Sequence, residues 1–285
     1  MRRLIGGLVL MGLVSGATAA DWAFFRGPNG NGTTDEASWK TWGPAGPKIA
    51  WEKEMGIGVS AVVVHGGLAY TMGNVDDTDI VYCLDAKTGE EKWTHRFPAK
   101  FEKRMFEGGT ASTPTIDDDR VYAFSYDGQL FCLDAEKGSV RWQVNVIEEH
   151  GGKLSQWKYA GSPLVVGNML ALDIGGKENS TLVLDKMTGK KIWGRGNDKA
   201  GYSTIMPFKQ AGVPAFMVFK GKALIAVAAR DGKELWRIPW ESSYDVNATT
   251  PVLLGDKFFM SSGYPKTGRG AMYQMGRGTP RELWV

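Results

Sequence analysis

The side chains able to do chemistry are few and scattered in this 285-residue chain. Its three histidines, His65, His95 and His150, lie far apart, and none stands at metal-ligand spacing from another ligand type. Each reads as a loop or hairpin residue. Asp76, Asp77 and Asp79 form a small acidic group of the kind that offers oxygen ligands to a hard cation. They fall between two strand-like runs and lack the rest of a calcium loop, so an ordinary turn is expected, and Asp117–Asp119 reads the same way. The glycine-rich stretch Asp21–Gly32 lacks the Lys-Ser/Thr and strand-to-helix context of a phosphate loop. It reads instead as an extended arm whose aromatics dock on the folded body.

Eleven tryptophans are the other conspicuous feature, and they raise the question of a stacking platform for a sugar or a quinone. Most answer to a repeat. Leu84-Asp85 through Gly89 to Trp93 returns as Leu133-Asp134 through Gly138 to Trp142, and as Leu184-Asp185 through Gly189 to Trp193. A fourth copy ends at Gly232 and Trp236, with Ala228 in the aspartate's place, and a looser fifth ends at Trp284. Trp157 and Trp240 fall outside the motif and remain as the candidates for a surface platform. The segment Glu148 to Tyr159 is the longest polar connection between repeats, and such loops carry function more often than cores do.

The elements that position these residues follow from the spacing. An apolar run such as Ile80–Leu84, Gln129–Leu133 or Thr181–Leu184 precedes each aspartate, and a short strand ending in Trp follows each glycine. Asp can accept from the N–H groups of the turn that follows it, and Gly can take the positive φ the turn needs. The unit is therefore a β-hairpin, with one or two further strands upstream. About four strands per 40 to 50 residues is the pattern of a propeller blade. A Trp at one place in every blade would fill the gap between neighbours. Cys83 and Cys132 hold matching places in two successive hairpins. Such positions diverge from the axis, whereas a disulfide needs Cα atoms within about 7 Å, so they read as two small buried hydrophobes.

The D-x-x-T/K-G-x-x-x-W hairpins, with the segments Ser112-Thr113-Pro114, Gly161-Ser162-Pro163 and Thr249-Thr250-Pro251 that open blades, resemble the pyrroloquinoline quinone (PQQ)-like β-propeller repeat family. That family includes the quinoprotein alcohol dehydrogenases and the outer-membrane-assembly propeller lipoprotein. The resemblance covers roughly residues 49 to 284, and the opening W-x-x-x-R-G-P-x-x-x-G looks like the start of exported members. It implies an all-β fold of four-stranded antiparallel blades closing with about eight blades. Five repeats are present, so a C-terminally incomplete ring is expected. The run Lys48–Lys53 reads as a lone outer strand whose Trp51 would complete the final blade.

Residues 1–20 have the basic, apolar and small-residue parts of a secretory signal, followed by an arm over 21–47 and the propeller over 48–285. Without residues 1–20 the chain has 32 basic and 31 acidic residues, and nothing clusters as nucleic-acid or anionic-membrane binding requires. No cysteine stands at a lipid-attachment position after the signal, unlike the lipoprotein relative, and no membrane span is expected after cleavage. The sequence predicts a periplasmic or secreted protein that acts as a non-catalytic scaffold for a protein or envelope partner, with no cofactor. Two alternatives stand beside it. One is a PQQ- and calcium-dependent alcohol or sugar dehydrogenase, against which the absence of an adjacent cysteine pair counts. The other is a carbohydrate-binding propeller using Trp157 or Trp240.

Overall fold

The computed structural model describes residues 21–36, 41–102, 108–264 and 266–285. The signal-peptide reading of residues 1–20 lies outside them. Among the described residues, twenty strands form five sheets of four, each an antiparallel meander in chain order. Blade one holds β1 (Val63–His65), β2 (Leu68–Val75), β3 (Thr78–Asp85) and β4 (Glu91–Pro98). Blade two runs from β5 (Thr115–Asp117) to β8 (Val140–Asn145), and blade three from β9 (Leu164–Val166) to β12 (Lys191–Arg195). Blade four runs from β13 (Met206–Gln210) to β16 (Glu234–Pro239), and blade five from β17 (Val252–Leu254) to β20 (Arg281–Trp284). A five-residue helix, Val146–His150, interrupts the connection after blade two and was not expected there; Asn145 starts it by accepting from the N–H groups of Ile147 and Glu148.

The hairpin chemistry is as the sequence predicts. Oδ1 of Asp85 accepts from the N–H groups of Lys87 and Thr88, and Asp134 and Asp185 do the same in their own turns. In blade four the turn keeps its backbone bond, Gly232 N–H to Ala228 O at 2.9 Å, without the aspartate. In all five blades the ladder shifts register immediately after the residue that pairs with the Trp, between Cys83 and Leu84 in the first. A bulge at the same place in each copy re-aims the outer strand in the same way.

The core lies between blades rather than within them. One cluster joins Val63, Tyr70, Val81 and Trp93 of blade one to Val121, Ala123 and Phe131 of blade two, and similar clusters join each later pair. The repeated contact is specific. The indole N–H of Trp93 donates to Ala135 O of the next blade at 2.9 Å, Trp142 to Lys186 O at 3.0 Å and Trp193 to Ala229 O at 2.9 Å. Each ring also lies against the next motif glycine, where a Cβ on Gly138, Gly189 or Gly232 would come within 2.8 Å of it. The motif glycine thus serves two ends, a positive φ in its turn and space for its neighbour's Trp. Trp93, Trp193 and Trp236 are buried, while Trp142 is only half-buried; its acceptor is Lys186, where blades one, two and four have alanine.

The expected strand at Lys48–Lys53 is a correction: it pairs in no ladder among the described residues. Trp51 nonetheless takes the role of a preceding blade's Trp, donating to Ala86 O at 3.1 Å with its ring against Gly89, and with Met55 it packs on Ile80, Tyr82 and Leu84. Among the described residues, blade five has no such cover on its far face. Phe259 and Met272 are partly exposed and Trp284 is 51% exposed, whereas the central strands of the other blades are buried on both faces. The blade count and this uncovered face agree with an incomplete propeller.

Candidate functional site

The residues that open the blades build the site. A belt of hydrogen bonds runs around the axis from N–H to hydroxyl, one blade to the next. Ala61 N–H donates to Thr113 Oγ1 at 3.0 Å, Thr113 to Ser162 Oγ at 3.0 Å, Ser162 to Thr204 Oγ1 at 3.0 Å and Thr204 to Thr250 Oγ1 at 3.2 Å. This is the physical content of the blade-opening segments: the hydroxyl of the residue directly before proline, or before Ile205 in blade four, satisfies the previous blade's N–H inside the structure. Two residues before each belt position, a side chain faces the axis. These are Val59, Ala111, Ala160 and Ala248, and in blade four Tyr202.

The small side chains leave a cavity of about 640 Å³ on the axis, and aromatic residues complete its wall. Tyr126 comes from the turn between the strands Arg120–Phe124 and Gln129–Asp134 of blade two, Trp157 from the connection after blade two, and Tyr264 from the connection between the strands Lys257–Ser262 and Arg269–Gln274 of blade five. The Trp157 loop is held firmly. Its N–H donates to the Tyr202 hydroxyl at 3.2 Å, Ser155 Oγ donates to Ala200 O at 2.7 Å, and Tyr159 N–H donates to Tyr126 O at 3.0 Å. Lys158 lays its ammonium 4.3 Å from the centre of the Tyr126 ring. The charged residue of the described wall is Glu102, and apart from it the lining is apolar or aromatic.

The arm crosses the inner strands. Trp22 exchanges N–H and O with Val64 of blade one, Ala23 O accepts from Ile116 of blade two, and Phe24 packs on the cluster shared by blades three and four. Gly30 sits against Met206, and Arg26 donates to Thr250 O at 3.2 Å, which reaches blade five. His65 places Nδ1 2.9 Å from Asp21 Oδ2 and so belongs to this attachment.

The other sequence candidates are dispersed. His95 is packed edge-on against Phe131, and burial holds its pKa below the usual imidazole value. His150 ends the short helix, also lowered by burial. Cys83 and Cys132 are free and buried, and burial pushes both thiols up to about 11, so they are inert. Asp76 and Asp77 form a left-handed turn, while Asp79 is fully buried, bonded through Oδ1 to Asn74 Nδ2 at 2.7 Å, and pushed up to about 6 chiefly by burial. No cluster of acids, histidines or cysteines among the described residues is arranged to hold a metal.

Trp157 lines the cavity, but Trp240 is a correction: it is 1% exposed, donates to Ser262 Oγ at 3.1 Å, and lies under the Arg269 guanidinium. Sequence reading passed over Glu102, Tyr126, Tyr202 and Tyr264. Tyr202 had a signal, since aligning the belt segments places it where three blades have alanine. Gln210 was also missed. It accepts from the Trp236 indole at 3.0 Å and donates to Gly276 O and Gly278 O, bridging to the irregular fifth hairpin.

Sheets, junctions and axial cavity define a β-propeller. The chain belongs to the PQQ-like propeller family whose profile is described as "Outer membrane protein assembly factor BamB", matched over residues 31–156 and 103–285. It is 26% identical over 157 residues to the dehydrogenase subunit of the quinone alcohol dehydrogenase of Komagataeibacter europaeus, which is 51% of this chain and 21% of the relative. It is 25% identical over 150 residues to the quinoprotein ethanol dehydrogenase of Pseudomonas putida, 48% of this chain and 22% of that protein. The matches thus span about a fifth of these relatives. Among solved structures it resembles BamB from Moraxella catarrhalis, with a TM-score of 0.52 at 20% identity, covering 80% of this chain and 60% of that one. It also resembles the quinohemoprotein alcohol dehydrogenase of Comamonas testosteroni, with a TM-score of 0.54 at 15% identity, covering 80% and 41%. These likenesses concern the fold. No helix among the described residues is long and apolar enough to cross a membrane.

Proposed function

We propose that this chain is an exported, non-catalytic propeller that presents its axial aromatic cavity and the loops around it to a protein partner of the cell envelope. The observation that carries the reading is the cavity wall itself. All five blades contribute to it, four aromatic rings stand in it among small apolar residues, and its described side chains include no nucleophile paired with a base. The family's description as an outer membrane protein assembly factor supports a place in the envelope and a protein partner.

The curated relatives raise the dehydrogenase reading, in which the cavity would hold PQQ and calcium. The described residues fit that pair poorly. A planar quinone carrying several carboxylates calls for cations and N–H donors around it, and this wall offers Glu102 and aromatic faces. Calcium calls for six to eight oxygen ligands, roughly, with several carboxylates among them. The carbohydrate reading loses one of its two residues, since Trp240 is buried.

The test is site-specific photocrosslinking in exporting bacteria. A photoreactive residue at Ala160, on the cavity side, should give one discrete adduct with an envelope protein. The same group at Lys137, in the hairpin turn at the other end of the blades, should give none. Adducts of equal yield from both positions would contradict the assignment.

A further inference from the structure

The cavity's charge and ring content point to a more particular occupant. Four aromatic side chains, Tyr126, Trp157, Tyr202 and Tyr264, share a wall with the carboxylate of Glu102. Aromatic faces are electron-rich and attract cations, most strongly where water is displaced. The wall already shows this mode, because Lys158 rests its own ammonium on the Tyr126 ring. The flank beside Tyr126 is negative as well, while Lys199 acts in the opposite sense on Tyr202. Beyond burial, the carboxylates of Asp79, Asp127, Glu102 and Asp77 all act to hold the proton on Tyr126. A ring set with one carboxylate and a negative flank repels an anionic ligand and favours a cationic one.

We propose that the axial cavity receives a lysine or arginine side chain of the partner protein, its alkyl stem against the methyl groups of Ala111, Ala160 and Ala248 and its charge among the rings and Glu102. This rests on the reading of the cavity as a protein-binding site and specifies what the partner inserts. The stem has apolar surface to cover and the head has rings and a carboxylate to meet, which is how long basic side chains divide between apolar and polar surroundings. Lys158 then acts as a competitor, holding one ring face and repelling the incoming charge.

The experiment uses three blocked tripeptides of the same length, Ala-Lys-Ala, Ala-norleucine-Ala and Ala-Glu-Ala, titrated into the purified protein and followed by ligand-observed NMR. The expected order is the lysine peptide tightest, norleucine weaker and glutamate weakest. Glu102→Gln and Tyr202→Leu should each weaken the lysine peptide by about 2- to 30-fold, the span of a cation on a ring. Lys158→Met should tighten it. Glu102→Gln and Lys158→Met alter half-exposed side chains, so the test stands even if Tyr202→Leu folds poorly. Norleucine binding as tightly as lysine would overturn the cationic occupant while leaving the cavity as a binding site. Binding of none of the three would overturn both, and a preference for glutamate would overturn the charge argument and reopen the anionic quinone. A lysine preference unchanged in all three variants would place the binding elsewhere and overturn the assignment to this cavity.

Discussion

Trp93 and Gly138 belong to different blades, yet the indole of one occupies the space that a side chain on the other would fill. A Cβ at Gly138 would stand 2.5 Å from the Trp93 ring, while the indole N–H donates to Ala135 O three residues before that glycine. The two most regular residues of the motif are thus partners across each junction rather than within one hairpin. Conformation and packing both require the glycine, whose φ is +69°.

From this, Gly138→Ala should destabilise by roughly 2–4 kcal/mol, combining left-handed strain with overpacking. Trp93→Ala should cost about 3–5 kcal/mol, the range for a large buried aromatic. Trp284→Ala, on the uncovered face, should cost less than about 1 kcal/mol. Chemical denaturation of the three variants checks the set; equal losses for Trp93→Ala and Trp284→Ala would mean that blade five is covered as the others are.

Much of this was legible because it is local. Asp, Gly and Trp at fixed spacing specify a turn, a positive φ and a filler of inter-blade space, and each copy repeats the message. The segments around Thr113, Ser162 and Thr250 were visible as blade openings, but their hydrogen-bonded belt was not, because acceptor and donor lie 42 to 52 residues apart. The cavity was the least legible part. Tyr126, Trp157, Tyr202 and Tyr264 come from different turns and connections, and only the circular arrangement of blades brings them to one axis. Trp240 misled for a related reason: lying outside the motif suggested exposure, yet Phe219, Ser262 and Arg269 enclose it.

Lys220 and Asp173 join blades three and four through a buried ion pair at 2.6 Å, with Ser180 O and Oγ also accepting from the ammonium. Asp173 Oδ2 accepts from Gly201 N–H at 2.9 Å. Removing one charge leaves the other buried without its partner, so Lys220→Met should destabilise by about 3–5 kcal/mol. The double variant Lys220→Met/Asp173→Leu should recover most of the loss. A single variant as stable as wild type in urea denaturation would contradict the pairing.

Asp79 supplies a pH dependence. Burial, its largest influence, raises its folded pKa from 3.8 to about 6, so between those values the folded state binds more protons than the unfolded one. Stability from this group is therefore highest below about pH 4 and is lost as pH rises through 6. Asp79→Asn removes the dependence while keeping an acceptor for Asn74. Relative to wild type the variant should gain stability between pH 4 and pH 7.5, by on the order of 2–3 kcal/mol. Parallel melting curves of the two proteins across that range would contradict it.

The claim that this propeller binds rather than catalyses is tested most directly by offering it the quinone. Purified protein is titrated with PQQ and calcium, followed by absorbance, and then assayed for dye-coupled oxidation of alcohols. A binding propeller gives no saturable quinone binding and no turnover above the protein-free control. Saturable quinone binding, or alcohol-dependent dye reduction that Tyr202→Leu abolishes, would contradict it and make the chain a dehydrogenase.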